Sequence, residues 1–176
     1  MKTEYLLQRE VDNVLSVLTP GNALVMRVAI HTGLRVSDVL NLKTAQLAPR
    51  FWITEGKTGK RKQIGLPQPL LSDLKNIAGS HWVFEGTNPK KHRTRQAVWK
   101  DVKRAAAAFR IKQNAAPHSA RKVYAVDLLS KYGDIEKVRK ALNHSSIAVT
   151  MIYAMADKQL ESNSIRRRPS PGRPAV

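Results

Sequence analysis

Toward the end of the chain, Pro117-His118-Ser-Ala-Arg121, Leu142-Asn-His144 and Ile152-Tyr153 place two histidines, an arginine and a tyrosine within 37 residues. These types suit one kind of chemistry. A tyrosine hydroxyl, with a pKa of about 10, becomes a nucleophile once a neighbour takes its proton or a positive field favours the phenolate. Histidine is the side chain suited to moving that proton near neutral pH. Arginine offers a planar fork for two oxygens of a phosphate. The set reads as Tyr153 attacking a DNA phosphodiester while the other three manage its charge and protons. Each residue also has an ordinary reading. Tyr153 could be a half-buried packing residue like Tyr124 or Tyr132, His118 a helix-start residue, and His144 a C-terminal cap favoured by the helix dipole.

Bulk charge favours the phosphodiester. Thirty-one Lys and Arg stand against thirteen Asp and Glu, a net +18 with pI near 10.7. Each phosphate that such a surface neutralises releases a counterion and favours binding. The basic residues are spread through several segments rather than along one amphipathic helix, so a nucleic acid is the expected partner and a membrane is not. The sequence has no cysteine, which removes disulfides, thiolate metal sites and cysteine nucleophiles. With no export signal or long apolar run, a cytoplasmic, DNA-associated location is expected. The apolar share of 42% over 176 residues fits one globular unit.

The elements that must position these residues are mostly helices. Thr3 is expected to cap a first helix with Leu7, Val11, Val14, Leu15 and Leu18 on one face, ended by Pro20-Gly21. A second runs from about Asn22 to Gly33, and a third from Asp38 to Leu42 with Ser37 as cap. Arg35 then sits in a rigid junction between two helices. Phe51–Thr54 and Gln63–Leu66 flank Gly56-Lys57-Thr-Gly-Lys60, the pattern of a β-hairpin. Further helices carry Leu70, Leu71, Leu74 and Ile77, and then Val98, Val102, Ala105 and Phe109, with a strand-like Trp82-Val-Phe84 between them. On a helix opening at Pro117, His118 and Arg121 are i and i+3 and can face one site. After a helix from Ile135 to Leu142, Asn143 is expected in the left-handed region. Ser145 or Ser146 would cap the helix bearing Tyr153.

Five stretches in this order resemble the catalytic domain of the tyrosine recombinases, the phage-integrase family. They are Thr32-Gly-Leu-Arg35-Val-Ser-Asp-Val-Leu, Gly56-Lys57-Thr-Gly, His118-x-x-Arg121, Leu142-Asn-His144-Ser-Ser, and Tyr153 nine residues after His144. The resemblance covers roughly Thr3 to Ala156. It implies a mainly α fold with a small antiparallel β-sheet and an Arg35–Lys57–His118–Arg121–His144–Tyr153 site. Such a site cuts and rejoins DNA through a 3′-phosphotyrosine, without metal or other cofactor. Arg35 and Arg121 would grip the non-bridging oxygens, Lys57 would protonate the leaving 5′-oxygen, and His144 would hydrogen-bond the phosphate. Alternatively Arg35 and Arg121 pair with Asp38 or Asp127, and Lys57 is a solvated turn residue, with Lys60 and Lys62 on the same hairpin. Ser119, Ala120 and Asn143 stand where the family often has an acid, a larger aliphatic residue and glycine.

The expected organisation is a catalytic domain over residues 1–163 and a basic, proline-rich flexible tail over 164–176. No separate N-terminal core-binding domain is expected, since 34 residues precede Arg35. The resemblance further implies a homo-tetramer on paired DNA sites, with an accessory or clamp-completing protein as a further partner. Lys60, Lys90, Lys91, Arg93, Arg95, Lys100 and Lys103 are the candidate DNA contacts beyond the site. A topoisomerase-like or resolving strand transferase, and a non-catalytic DNA-binding regulator, are the alternatives.

Overall fold

The computed structural model describes residues 3–143. His144, Tyr153 and the tail lie outside the described residues, so the expectations that fall on them meet no geometry here. The described elements run α1 (Gln8–Val17), α2 (Pro20–Thr32), α3 (Val36–Leu40), a 3₁₀ turn (Thr44–Gln46), β1 (Arg50–Thr54), β2 (Arg61–Gly65), α4 (Gln68–Ile77), α5 (Arg95–Ala108), α6 (Pro117–Tyr132) and α7 (Ile135–Ala141). This is the mainly helical architecture with one small sheet that the patterning leads one to expect.

The helices gather round α2, which packs on α1, α3, α4, α5 and α6. Asn22, Leu24, Val25, Met26, Val28, Ala29 and Thr32 of α2 are all buried, so apolar residues surround it instead of forming one stripe. Pro20 does not merely end α1; it opens α2, where its missing N–H is no loss. Gly33 closes α2 at φ 68°, its N–H reaching Ala29 O at 2.9 Å. A Cβ added there would lie 2.4 Å from the Tyr124 ring of α6, so both the turn and the close approach require glycine.

Three boundaries differ from expectation for physical reasons. α1 begins at Gln8, not near Thr3, and the Leu7 N–H donates to Glu10 Oε2 at 2.8 Å. Residues 3 and 4 are held far along the chain instead: Lys122 Nζ donates to Thr3 O, and Glu4 N to Asn114 O. α3 starts one residue after Arg35, so Ser37 lies inside its first turn and does not cap it. Phe109, expected on the buried stripe of α5, follows the helix and is 40% exposed.

The hairpin pairs Arg50↔Gly65 through Thr54↔Arg61, antiparallel. Phe51, Ile53 and Ile64 point into the core, while Trp52 faces solvent with Arg61 stacked over it at 5.1 Å. Trp82–Phe84 joins no strand. It makes an isolated bridge from Trp82 to Lys43, and Val83 N donates to Leu42 O at 3.0 Å. A second small apolar cluster, Ala125, Val138 and Leu142, seats α7 on α6.

One buried acid locks the helical layer. Asp101 of α5 accepts from Thr19 N (2.9 Å), Thr19 Oγ1 (2.9 Å), Asn22 Nδ2 (2.8 Å) and Arg104 Nη2 (2.6 Å). Burial alone would raise its pKa. The donors outweigh that and lower it to about 2. A carboxyl depressed in this way contributes stability fully above its unfolded pKa, near 4, and loses it as pH falls through about 2. Asp101→Ala is therefore expected to cost about 2–3 kcal/mol at neutral pH. In urea titrations from pH 7 down to 2 the gap from wild type should narrow only below about pH 4. A gap constant across that range would contradict this.

Candidate active site

Arg35 occupies the N-cap position of α3, extended between two packed helices. Its Nη1 lies 3.1 Å from Glu55 Oε2 and 3.9 Å from Asp38 Oδ2. The pairing with Asp38 weighed from sequence therefore exists, but it is the weaker of two. Lys57 sits on the hairpin turn, exposed, and the turn is drawn toward α3 because Gly56 N donates to Asp38 Oδ1 at 3.0 Å. His118 is the second residue of α6. Arg35, Lys57 and His118 line one open cleft of about 920 Å³, whose far wall is Arg95, Gln96 and Trp99 of α5.

His118 and Arg121 share a helix face but not an environment. His118 is exposed in the cleft, whereas Arg121, three residues on, is 1% exposed. Arg121 Nη1 donates to Gly33 O at 2.5 Å and Nη2 to Leu142 O, with Glu55 Oε1 4.0 Å away. Arg121 thus ties the C-terminal end of α2 to that of α7, the two places where helix carbonyls lack intrahelical donors.

The surrounding protein, and then the charges of Arg121, Lys122, Arg35 and Lys57, lower the His118 pKa to about 4. His118 is thus neutral at physiological pH and able to accept a proton.

One residue of this site escaped the sequence reading, and a second was read in another place. Glu55, 0% exposed, is the acid between the two arginines. Burial raises its pKa, but the hydrogen bonds from Thr58 and Arg35, with the Asn143 amide nearby, win and keep it below the ordinary value. Lys62 of β2, weighed only as a rival to Lys57, points away from the cleft. Its Nζ donates to Thr32 O at 2.8 Å and Ala141 O at 2.7 Å. Burial, then Arg121 and Arg35 against the partial offset of Glu55, lowers its pKa to about 8. The one signal available for Glu55 was an acid in Thr54-Glu-Gly-Lys57, amid a run of basic residues.

The candidate DNA contacts divide. Lys60, Lys90, Lys91, Arg95 and Lys100 are exposed, and Arg95 is on the cleft wall. Arg93 turns inward, with Nη1 on Asn22 Oδ1 at 3.0 Å and Nε buried. Lys103 Nζ donates to Asn114 Oδ1 at 2.5 Å and lies 5.8 Å from the Trp99 ring. Asn143 has φ 52°, the left-handed turn expected just before His144.

Fold and cleft together define a class, and comparison with known proteins agrees. The sequence pattern of the phage integrase family matches residues 4–160, and the chain belongs to that family. It is 27% identical over 175 residues to a tyrosine recombinase of Thermosipho africanus, covering 93% of this chain and 61% of that protein. The chain thus spans less than two thirds of that relative's length. The fold is shared with the catalytic domain of bacteriophage HP1 integrase, at a TM-score of 0.66 and 20% identity over 98% of this chain and 100% of that one. It is shared too with a lambda integrase tetramer bound to a Holliday junction, at a TM-score of 0.69 and 19% identity over 87% of this chain and 48% of that one.

Proposed function

We propose that this chain cuts and rejoins double-stranded DNA at specific sites, as a recombinase acting through a 3′-phosphotyrosine. The observation that carries the reading is the meeting of Arg35, Lys57 and His118 round one open cleft, with Arg121 buried 4.0 Å from the Glu55 carboxylate that Arg35 binds. These residues come from three separate parts of the chain, and a scaffold that only bound DNA would have no need to converge them.

In the proposed reaction the Tyr153 oxygen attacks phosphorus in line, and its proton passes to His118. The bond from phosphorus to the 5′-oxygen breaks, and that oxygen takes a proton from Lys57. Arg35 and Arg121 oppose the charge that builds on the non-bridging oxygens, and His144 adds a hydrogen bond. Attack by a 5′-hydroxyl on the phosphotyrosine reverses every bond change, so no nucleotide is consumed. Lys60, Lys90, Lys91, Arg95 and Lys100 would contact the flanking duplex, with Arg93 and Lys103 supporting the loop and helix that carry them. Residues 1–163 would act as the catalytic unit and 164–176 as a basic tail. Assembly as a homo-tetramer on paired sites fits strand exchange, with a further protein closing the clamp round DNA.

The test is denaturant-resistant capture of protein-linked DNA, wild type beside Tyr153→Phe, with sequencing of the trapped ends. Adducts in wild type alone, at few sequences, are expected. Adducts at scattered sequences would indicate a topoisomerase-like activity. DNA binding without adducts, even with candidate clamp proteins added, would indicate a regulator and overturn the proposal.

A further inference from the structure

The turn that carries Lys57 is not a free loop, and the group that holds it is the same one that holds Arg35. Glu55 Oε2 accepts from Arg35 Nη1 at 3.1 Å and from Thr58 Oγ1 at 2.8 Å. The backbone of the same residue closes the turn: Glu55 N donates to Lys60 O at 3.0 Å, and Gly59 N to Glu55 O at 2.8 Å. Residues 55 and 58 are thereby fixed on either side of Lys57, while the lysine side chain stays exposed toward the cleft. Oε1 of the carboxylate lies 4.0 Å from Arg121 Nη1. Asn143, next to His144, turns its side-chain amide toward Glu55 without reaching hydrogen-bonding geometry, and Oε1 and Asn143 Nδ2 are both buried without a closer partner among the described residues. One carboxylate thus touches or faces all four described elements that bear the site.

We propose that Glu55 is a positioning residue that binds the Arg35 guanidinium and the Lys57 turn into one unit, so that the phosphate grip and the proton donor reach a scissile phosphate in fixed register. The proposal rests on the reading of Lys57 as the proton donor given above. A buried carboxylate is costly unless paired, and this one is spent between two arginines and a turn hydroxyl rather than on a surface ion pair. Its charge also lets Arg35 and Arg121 sit close together before any phosphate arrives. Glutamine would keep the shape and the hydroxyl bond but lose the charge that draws Arg35 in.

Two measurements test this. Hydrogen exchange on the free protein reads the tether without DNA. In Glu55→Gln and in Thr58→Val, the Gly59 amide should exchange about tenfold faster or more, while amides within α2 keep their protection. Thr58→Val leaves the buried ion pairs in place, so it remains informative if Glu55→Gln folds poorly, and Glu55→Asp should restore part of the protection. Unchanged Gly59 exchange in both variants would overturn the proposal.

The second measurement uses a pool of duplexes with one central scissile phosphate and randomised flanks, made with either an ordinary or a sulfur-substituted 5′-bridging atom. A sulfur leaving group needs no proton donor. Glu55→Gln and Thr58→Val should form adducts on the oxygen pool about 10²-fold more slowly than wild type, the penalty of a misplaced group. On the sulfur pool they should recover to within about tenfold, as should Lys57→Ala. Recovery of Lys57→Ala without recovery of the other two would overturn the coupling while leaving Lys57 its role. Failure of Lys57→Ala to recover would instead remove Lys57 as the donor. Absence of wild-type adducts on either pool would remove the cleavage reading. In those last two cases Gly59 exchange alone decides whether Glu55 holds the turn.

Discussion

Arg121→Lys is expected to lower folding stability by about 3 kcal/mol and to reduce strand cleavage by about three orders of magnitude at a temperature where the variant is still folded. Both effects follow from geometry. Arg121 spans Gly33 O and Leu142 O with two separate nitrogens and still lies 4.0 Å from Glu55. A lysine ammonium is a single point on a flexible stem and cannot reach both helix ends at once. At 1% exposure no water replaces the lost bonds, so one or more buried carbonyls and part of the Glu55 charge go unmet. Urea denaturation gives the first number and the rate of covalent adduct formation at saturating DNA gives the second. A variant as stable as wild type would show that the carbonyl bonds contribute little. A stable fold with full cleavage would remove Arg121 from the site.

Arg35→Lys should nearly spare stability while harming cleavage comparably. Arg35 is partly exposed on the cleft, and its partners Glu55 and Asp38 would retain a cation nearby. The fold should therefore change little, by about 1 kcal/mol or less. Cleavage should still fall by about 10²–10³-fold, because one ammonium cannot hold Glu55 and a phosphate oxygen with the parallel bonds of a guanidinium. Measuring DNA affinity beside adduct rate separates grip from chemistry. Binding within a fewfold of wild type with lost cleavage is expected, and equal losses in both would mean that Arg35 serves only to hold DNA.

The contrast between the two arginines could not have been read from their motifs. Both appear in the sequence as forks at suitable spacing, and the helix period correctly puts His118 and Arg121 on one face. Which of them meets solvent depends on what packs above that face. The ends of α2 and α7, 88 and 21 residues away from Arg121, decide it. Arg93 shows the same limit. It sits in a run of basic residues that looks like a solvated loop, yet its fork is drawn to Asn22, 71 residues distant.

What the sequence determined by itself is what local physics governs: the order of helices and hairpin, the glycine that ends α2, the left-handed turn at Asn143, the basic character, and the motif set that marks the family. Periodicity, turn chemistry and charge act over a few residues and leave their trace in spelling. The start of α1, the burial of Arg121, the inward turn of Lys62 and the place of Glu55 between two arginines were decided by the tertiary structure. In each case a helix end or a buried charge needed a partner, and the partner that met the need was distant in the chain but near in the fold.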